Sequence, residues 1–325
     1  MKALIHHAFG NPAEVLTVED VPTPAPGPGE ARVRLLVSPI HNHDLWTVTG
    51  NYGFKPEMPA RSGTEAVGVI DALGEGVTHL EVGQRVATGG TFGVWAEQFV
   101  AKAAALIPVP DGIPDDVAAQ LVAMPFSAIS LLDSLDLAEG DWMIQNAANG
   151  AVGRLVAQLA AARGINVVGL VRRTDGIAEL EAQSIGGIVA TDTDGWQERV
   201  LEITGGAPLK VGVESVGGPA AGDVMSQLAE NGTLVVFGAM ASPTMEIGSG
   251  DVIFKQATVR GFWGSKVSAA MPAEDRGRLM RELFARLSDG TITLPVEATF
   301  SFAEITDAVR AHFTPGRAGK VMLRP

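Results

Sequence analysis

The sequence predicts an α/β protein of two domains, one β-rich and one built on a doubly wound parallel sheet. Three observations predict it. The 325 residues suggest about two domains at the usual domain size. Residues 119–262 alternate apolar strands with amphipathic helices, which is the pattern of a parallel sheet with crossover helices. Residues 1–118 hold short β-favouring runs broken by Gly, Pro or Asp.

In the N-terminal part ARVRLLVSPI (31–40), TEAVGVIDALG (64–74) and QRVATGG (84–90) read as strands, and HLEVGQRV as a turn leading into the last of them. VPTPAPGPGE (21–30) carries four prolines and reads as an exposed extended loop. In the middle part DWMIQNA (141–147) is a strand candidate. AVGRLVAQLAAARG (151–164) is a helix candidate, with Val152, Leu155, Val156, Leu159 and Ala160 at three- and four-residue spacing. Gly164 can stop that helix in a left-handed conformation. INVVGLV (165–171) is a β-branched run suited to a strand buried on both faces. LKVGVESVG and GTLVVFGAM follow as strands, with AAGDVMSQLAE as a helix between them. Residues 263–325 supply two helices, AEDRGRLMRELFARLSDG and FAEITDAVRAHF, and a last strand, GKVMLRP.

Charge and composition exclude several function classes. Lys and Arg number 24 against 37 Asp and Glu, a net charge of −13. Such a surface argues against nucleic acid and against an anionic membrane as partners. Cysteine is absent, so disulfides, thiolate metal sites and a thiol nucleophile are excluded. The first residues, MKALIHHAFG, lack the apolar core of a signal peptide, and no apolar stretch approaches a membrane span of about 18 residues. The expectation is a cytoplasmic protein acting on a small molecule.

The strongest chemical signal lies between a strand and a helix, at Ile144-Gln-Asn-Ala-Ala-Asn-Gly150-Ala-Val-Gly153. Small residues there let backbone N–H groups approach a pyrophosphate, and the helix N-terminus adds partial positive charge. The spacing is Ala147-x-x-Gly150-x-x-Gly153 rather than G-x-G-x-x-G. The next strand ends in Arg172-Arg173-Thr174, with no acidic residue before Asp175. An acidic residue there would bond both ribose hydroxyls of NAD, whereas arginine forks suit a 2′-phosphate, so the cofactor expected is NADP(H).

Three stretches extend the reading: Gly50-Asn51-Tyr52-Gly53, Ile144 to Asn149, and Val252-Ile-Phe-Lys-Gln-Ala-Thr-Val-Arg260-Gly-Phe-Trp263. With them the whole chain resembles the medium-chain dehydrogenase/reductase superfamily. Within it the stretches resemble the mitochondrial-type 2-enoyl thioester reductases, and the quinone oxidoreductases share the overall plan. The resemblance implies a GroES-like β-rich catalytic domain (1–118, completed by 263–325) and a Rossmann domain (119–262), with the active site in the cleft between them. It implies that Asn149, Gly150, Ala151 and Val152 hold the pyrophosphate and that Arg172, Arg173 and Thr174 face the 2′-phosphate. Phe237, Gly238, Ala239 and Met240 would line the nicotinamide side, Phe262, Trp263 and Gly264 would touch the nicotinamide, and Lys320 would reach back to the cofactor. It further implies a homodimer joined edge to edge near Thr258–Gly261. Two positions depart from the thioester reductases: Ala96 follows Trp95 where they carry Arg, and Met124 precedes Pro125 where they carry Asn.

Zinc enzymes of that superfamily use a Cys-His pair and a Gly-His-Glu segment. The corresponding stretches here are Ile40-His41-Asn42-His43-Asp44 and Gly63-Thr64-Glu65, which lack the cysteines and the central histidine, so catalytic zinc is not expected. His41 and His43 would share one face of a strand. They are open to three readings: a hydrogen-bonded structural pair, a substrate contact, or two ligands of a metal site completed by Asp44 or Glu65.

Without metal the chemistry expected is direct hydride transfer from NADPH to the β-carbon of a 2-enoyl thioester. Charge then develops on the thioester oxygen and a proton must reach the α-carbon. Tyr52, the single tyrosine of the chain, is the candidate catalytic residue, since a phenol both donates and accepts. The resemblance assigns the matching tyrosine the same part. Trp46, Trp95 and Trp263 are candidates for walls of an acyl tunnel or for ordinary core. The alternatives are a quinone or enone oxidoreductase on the same scaffold and a non-catalytic NADPH-binding protein.

Overall fold

The computed structural model describes residues 1–325. The chain packs as two compact units, Met1–Met124 with Leu294–Pro325, and Pro125–Thr293.

The first unit begins with β1 (Lys2–His6), β2 (Thr17–Asp20), β3 (Glu30–Pro39), β4 (Ala60–Arg61), β5 (Glu65–Leu73), β6 (Arg85–Gly89), β7 (Gln98–Lys102) and β8 (Ile107–Pro108). β3 is ten residues long and pairs antiparallel with both β5 and β7. The alternation that predicts it is visible as buried Ala31, Val33, Leu35 and Val37 on one face. The unit's core gathers Leu4, Val33, Leu35, Ile70, Trp95 and Phe99.

The second unit carries β9 (Trp142–Gln145), β10 (Asn166–Val171), β11 (Ile188–Ala190), β12 (Leu209–Glu214), β13 (Thr233–Val236) and β14 (Thr258–Gly261). They form one parallel sheet in the order β11-β10-β9-β12-β13-β14. The order reverses between β9 and its two neighbours, which is the switch point where such sheets bind dinucleotides. The helix Ala151–Ala162 leaves β9 there, buries Leu155, Val156, Leu159 and Ala160, and ends before Gly164 at φ +69.

The chain then returns to the first unit as β15 (Val296–Ser301) and β16 (Lys320–Arg324). β16 pairs with β15 and β3, so the last residues complete a sheet begun near residue 30. Phe302, Ile305, Val309, Val321 and Leu323 enter the first unit's core. No helix is long and apolar enough to cross a membrane.

Two sequence expectations shift. The boundaries anticipated after residues 118 and 262 fall after 124 and 293 in the packed units. The helix Ala273–Ser288 stays with the second unit because Leu279 and Leu283 are buried there. Glu282 also accepts two bonds of 2.9 Å from Arg163. The strand placement of His41 and His43 is corrected: β3 stops at Pro39, His41 caps a helix Asn42–Thr49, and His43 lies in its first turn. The helix start is easy to miss because histidine is an unusual cap. The His41 backbone N–H donates to Asp44 Oδ2 at 2.9 Å, which closes a capping box.

Gly63 shows how tightly the first unit is closed around this region. Its φ is +85, and a Cβ there would lie 2.3 Å from the ring of Trp95. Trp95 is fully buried and donates from Nε1 to Ser38 Oγ at 3.0 Å. Of the tunnel candidates Trp95 is therefore core, whereas Trp263 is 46% exposed. Gly63→Ala is expected to cost about 2–4 kcal/mol, from left-handed strain together with overpacking. Urea denaturation of the two proteins measures it.

Candidate active site

The first unit assembles a buried polar cluster from three distant stretches. His41 lies just past the end of β3, Glu65 opens β5 and Lys320 opens β16. Lys320 Nζ sits 3.0 Å from His41 Nδ1, and His41 Nε2 sits 2.7 Å from Glu65 Oε2. The other carboxylate oxygen of Glu65 accepts the backbone N–H groups of Val122 and Ala123, both at 2.6 Å. All three side chains are buried. An ammonium has no acceptor lone pair, so Lys320 donates to Nδ1 and the imidazole donates from Nε2 to Glu65. One cation and one anion are thus joined through a neutral ring.

Burial favours the neutral imidazole and opposes both charges, so the hydrogen-bond pattern carries the assignment. Burial pushes the His41 imidazole well below the ordinary histidine range, and the charges of Lys320, His43, His312 and Arg317 push the same way. Burial raises the Glu65 carboxyl, against the two backbone N–H donors and Lys320. Burial lowers Lys320, and nearby Arg317 adds to it, while Glu65 and Asp44 oppose both.

A second file of groups adjoins the first. His43 Nε2 lies 2.6 Å from Thr64 Oγ1, which donates to Asp44 Oδ1 at 2.8 Å. The His43 ring stacks on His41 with centroids 5.0 Å apart and lies 5.8 Å from the Tyr52 ring. Tyr52 reaches this place through Gly50, which ends the helix Asn42–Thr49 in a left-handed conformation at φ +76. The Tyr52 backbone N–H then bonds the carbonyl of Trp46 at 3.2 Å. Tyr52 is half-buried in the resulting bend.

These residues do not fit a catalytic zinc ion. Both ring nitrogens of His41 are engaged, one facing an ammonium, and His43 Nε2 is committed to Thr64. No group of three or more His, Asp or Glu side chains is arranged to hold a metal ion.

The second unit places the segment Asn149–Gly153 after β9, where the chain runs into the helix Ala151–Ala162. Gly150 caps the helix Ala151–Ala162, so the first N–H groups of that helix, from Ala151 and Val152 onward, point out of its N-terminus. A Cβ on Gly153 would lie 2.6 Å from the carbonyl of Ala147, so only glycine lets helix and turn approach. Asn149 is exposed on the turn and its carbonyl accepts from Arg154 Nε at 2.9 Å. Arg172, Arg173 and Thr174 are exposed at the carboxyl end of β10, and Thr174 Oγ1 donates to Asp192 at 3.3 Å. Phe237, Gly238, Ala239 and Met240 follow β13, with the Phe237 and Phe262 rings stacked 5.9 Å apart. An open groove of about 480 Å³ runs beside Val236, Phe262, Trp263 and Lys266. Gly264 lies against Ser127 there: a Cβ would meet Ser127 Oγ at 2.3 Å and turn that hydroxyl aside. Lys320, placed at the cofactor by the sequence reading, directs its ammonium to His41.

Two residues escape the sequence reading. Asn146 follows β9, Glu214 ends β12, and together they brace the loops around the turn. Glu214 Oε1 accepts the N–H groups of Val216 and Gly217 at 2.6 Å and the Asn146 amide at 3.1 Å. Asn146 Oδ1 accepts from Ser215 N–H at 2.8 Å. The signal available was an acid closing the apolar run LKVGVE.

Lys320→Met leaves the Glu65 carboxylate buried without its counter-charge and is expected to cost about 3–5 kcal/mol. Adding Glu65→Gln removes the stranded charge and should recover part of that loss. Chemical denaturation of the single and double variants tests the coupling.

Comparison with known proteins follows the same division. Residues 27–111 match the alcohol dehydrogenase GroES-like domain family and residues 151–280 the zinc-binding dehydrogenase family. The human mitochondrial enoyl-[acyl-carrier-protein] reductase is 32% identical over 99% of this chain and 88% of its own length. A homologue of that reductase from Caenorhabditis elegans is 33% identical over 80% of this chain and 77% of its own. Among solved structures, a putative NADPH:quinone reductase from Bacillus thuringiensis superimposes with a TM-score of 0.91 at 27% identity, covering 100% of this chain and 98% of the other. A mycobacterial protein solved with NADPH superimposes with a TM-score of 0.89 at 26% identity, covering both chains fully at 100%. The chain belongs to the medium-chain dehydrogenase/reductase superfamily of oxidoreductases, with a GroES-like sheet domain and a Rossmann-type domain.

Proposed function

We propose that the protein is a zinc-independent, NADPH-dependent reductase of the carbon–carbon double bond of 2-enoyl thioesters. The observation that carries this reading is the placement of Tyr52. The lone tyrosine of the chain sits on the Gly50–Gly53 bend beside His43, in a motif shared with the thioester reductases. The 32% identity to an enoyl-[acyl-carrier-protein] reductase supports the substrate class.

NADPH, when bound, supplies a hydride to the β-carbon. The turn Asn149–Val152 and the helix N-terminus it opens hold the pyrophosphate, and Arg172, Arg173 and Thr174 receive the 2′-phosphate. Phe237 to Met240 and Phe262 to Gly264 form an apolar wall against the nicotinamide. Tyr52 donates its phenolic proton to the α-carbon as the enolate collapses. His41, Glu65 and Lys320 satisfy one another and stay out of the chemistry. The open edge of β14 at Thr258–Gly261 and exposed Val259 suit a homodimer joined sheet to sheet. The lack of cysteine and of a membrane-crossing helix suits the cytoplasm.

A second reading, an NADPH-dependent quinone reductase, is favoured by the superposition on a putative NADPH:quinone reductase and by Ala96 and Met124. It needs hydride delivery without proton donation to carbon. The two readings separate in one assay, NADPH oxidation by wild type and Tyr52→Phe with a trans-2-enoyl-CoA series and an aromatic ortho-quinone. Enoyl-CoA turnover that falls by roughly 100-fold in Tyr52→Phe is expected. Inert enoyl-CoA together with quinone turnover that survives the substitution would sink the first reading.

The cofactor assignment has its own test. Arg172→Asp combined with Arg173→Ser removes both guanidinium forks and adds a ribose-seeking carboxylate. The KM for NADPH is expected to rise at least about tenfold, with the preference moving toward NADH. Unchanged preference would place the 2′-phosphate elsewhere.

A further inference from the structure

We propose that His43, held by Thr64 and Asp44, is the proton-relay partner of Tyr52. This rests on the reading of Tyr52 as proton donor. The observation is a hydrogen-bonded file inside the first unit, Asp44–Thr64–His43, whose last ring lies 5.8 Å from the tyrosine ring. Asp44 is fully buried and closes the file at its inner end. It accepts the His41 N–H at 2.9 Å and the Thr64 hydroxyl at 2.8 Å. A hydroxyl that donates to Asp44 accepts at its lone pair, so His43 Nε2 carries the hydrogen in the 2.6 Å contact with Thr64. This leaves Nδ1 as the nitrogen that can take and give a proton. The His43 side chain is 23% exposed, so it meets solvent while its far end is fixed.

The charges around His43 can carry the cation transiently. Asp44 Oδ1 lies 3.5 Å from Nε2 and favours the imidazolium, while Lys320 and burial oppose it. The groups that face His43 are Asp44 and His41 from its own helix start, Tyr52 from the following bend, Thr64 before β5, and Lys320 from β16. Burial is the largest influence, so the ring is neutral at pH 7 and charges only in passing.

The step balances as follows. Hydride from NADPH forms the β-carbon C–H bond and leaves an enolate. The Tyr52 O–H bond breaks as the α-carbon C–H bond forms. His43 Nδ1 takes a proton from a solvent hydronium ion at its exposed edge, releasing water, and the imidazolium gives that proton to the phenolate, so each turnover consumes one solvent proton. One hydride and one proton are added to the double bond, and Tyr52 and His43 return to their starting forms. His43 is thus a positioning residue that acts through Tyr52, and it restores the donor for each turnover.

Because the chain has a single tyrosine, Tyr52 can be watched alone. Protein labelled with 13C at the tyrosine ζ-carbon gives one resonance, which is followed against pH without substrate. In wild type it is expected to show an inflection on the acid side of the ordinary histidine range, as His43 charges. In His43→Gln that inflection should vanish. In turnover with trans-2-hexenoyl-CoA, His43→Gln is expected to lower kcat about tenfold or more, with KM within about threefold. The Tyr52→Phe/His43→Gln double variant should be no slower than Tyr52→Phe alone. His43→Ser replaces the glutamine variant should that protein fail to fold. A tyrosine resonance blind to His43, or losses that multiply in the double variant, would overturn the relay while the enoyl reductase reading stands. Tyr52→Phe at full rate overturns both. A wild type inert to enoyl thioesters removes the substrate reading, and the tyrosine resonance then decides the coupling by itself.

Discussion

The first unit depends on one buried charge pair bridged by a neutral imidazole. Lys320 and Glu65 come from strands 255 residues apart in sequence, and neither charge can be buried alone without a cost of several kcal/mol. His41 lets them share a chain of two hydrogen bonds without direct contact. The arrangement ties the return strand β16 to β5 and, through the 122–123 backbone, to the end of the N-terminal segment. It also engages both nitrogens of the ring that a metal site would have needed. The same stretch that matches a zinc-binding pattern in position is therefore organised around an internal cation.

That constraint sets the place of the groups beside it. His41 caps the helix Asn42–Thr49, Asp44 closes the capping box, and the helix ends at Gly50 where the chain must bend toward Tyr52. One helix of eight residues thus carries the inner carboxylate, the half-exposed imidazole and the approach to the phenol. The second unit solves a different problem with the same means. A buried carboxylate, Glu214, gathers three donors at the ends of β9 and β12 and holds the loops beside the Asn149–Gly153 turn. In both units a buried acid that collects two backbone N–H donors on one oxygen positions backbone rather than reacting.

The two readings of the chemistry differ in what they ask of these parts. In the proposed function, hydride delivery calls on the second unit's turn, arginines and apolar wall. Protonation at carbon additionally calls on a donor that is renewed, the part proposed for Tyr52. The scaffold is common to relatives named for either substrate, so it does not by itself choose between the two readings.

Much of this was legible in the residues. The order of strands and helices from 141 to 240 follows from period and from glycine placement, because a parallel sheet buried on both faces demands continuous apolar runs. The Asn149–Gly153 turn and the arginine pair follow from local spacing, since a strand, a tight turn and a helix start are consecutive in sequence. The partners of His41, Asp44 and Lys320 were not legible. Their distances arise from β16 and β5 pairing with the two sides of β3, contacts between distant strands that no local pattern records. The sequence determined which chemistry was available: a lone phenol, paired histidines, acids and a C-terminal lysine, with no thiol. Only the tertiary structure decided that the lysine neutralises a buried acid through one histidine and that the other histidine turns toward the tyrosine. The reason is physical: the energy of a buried charge is set by what the fold brings against it.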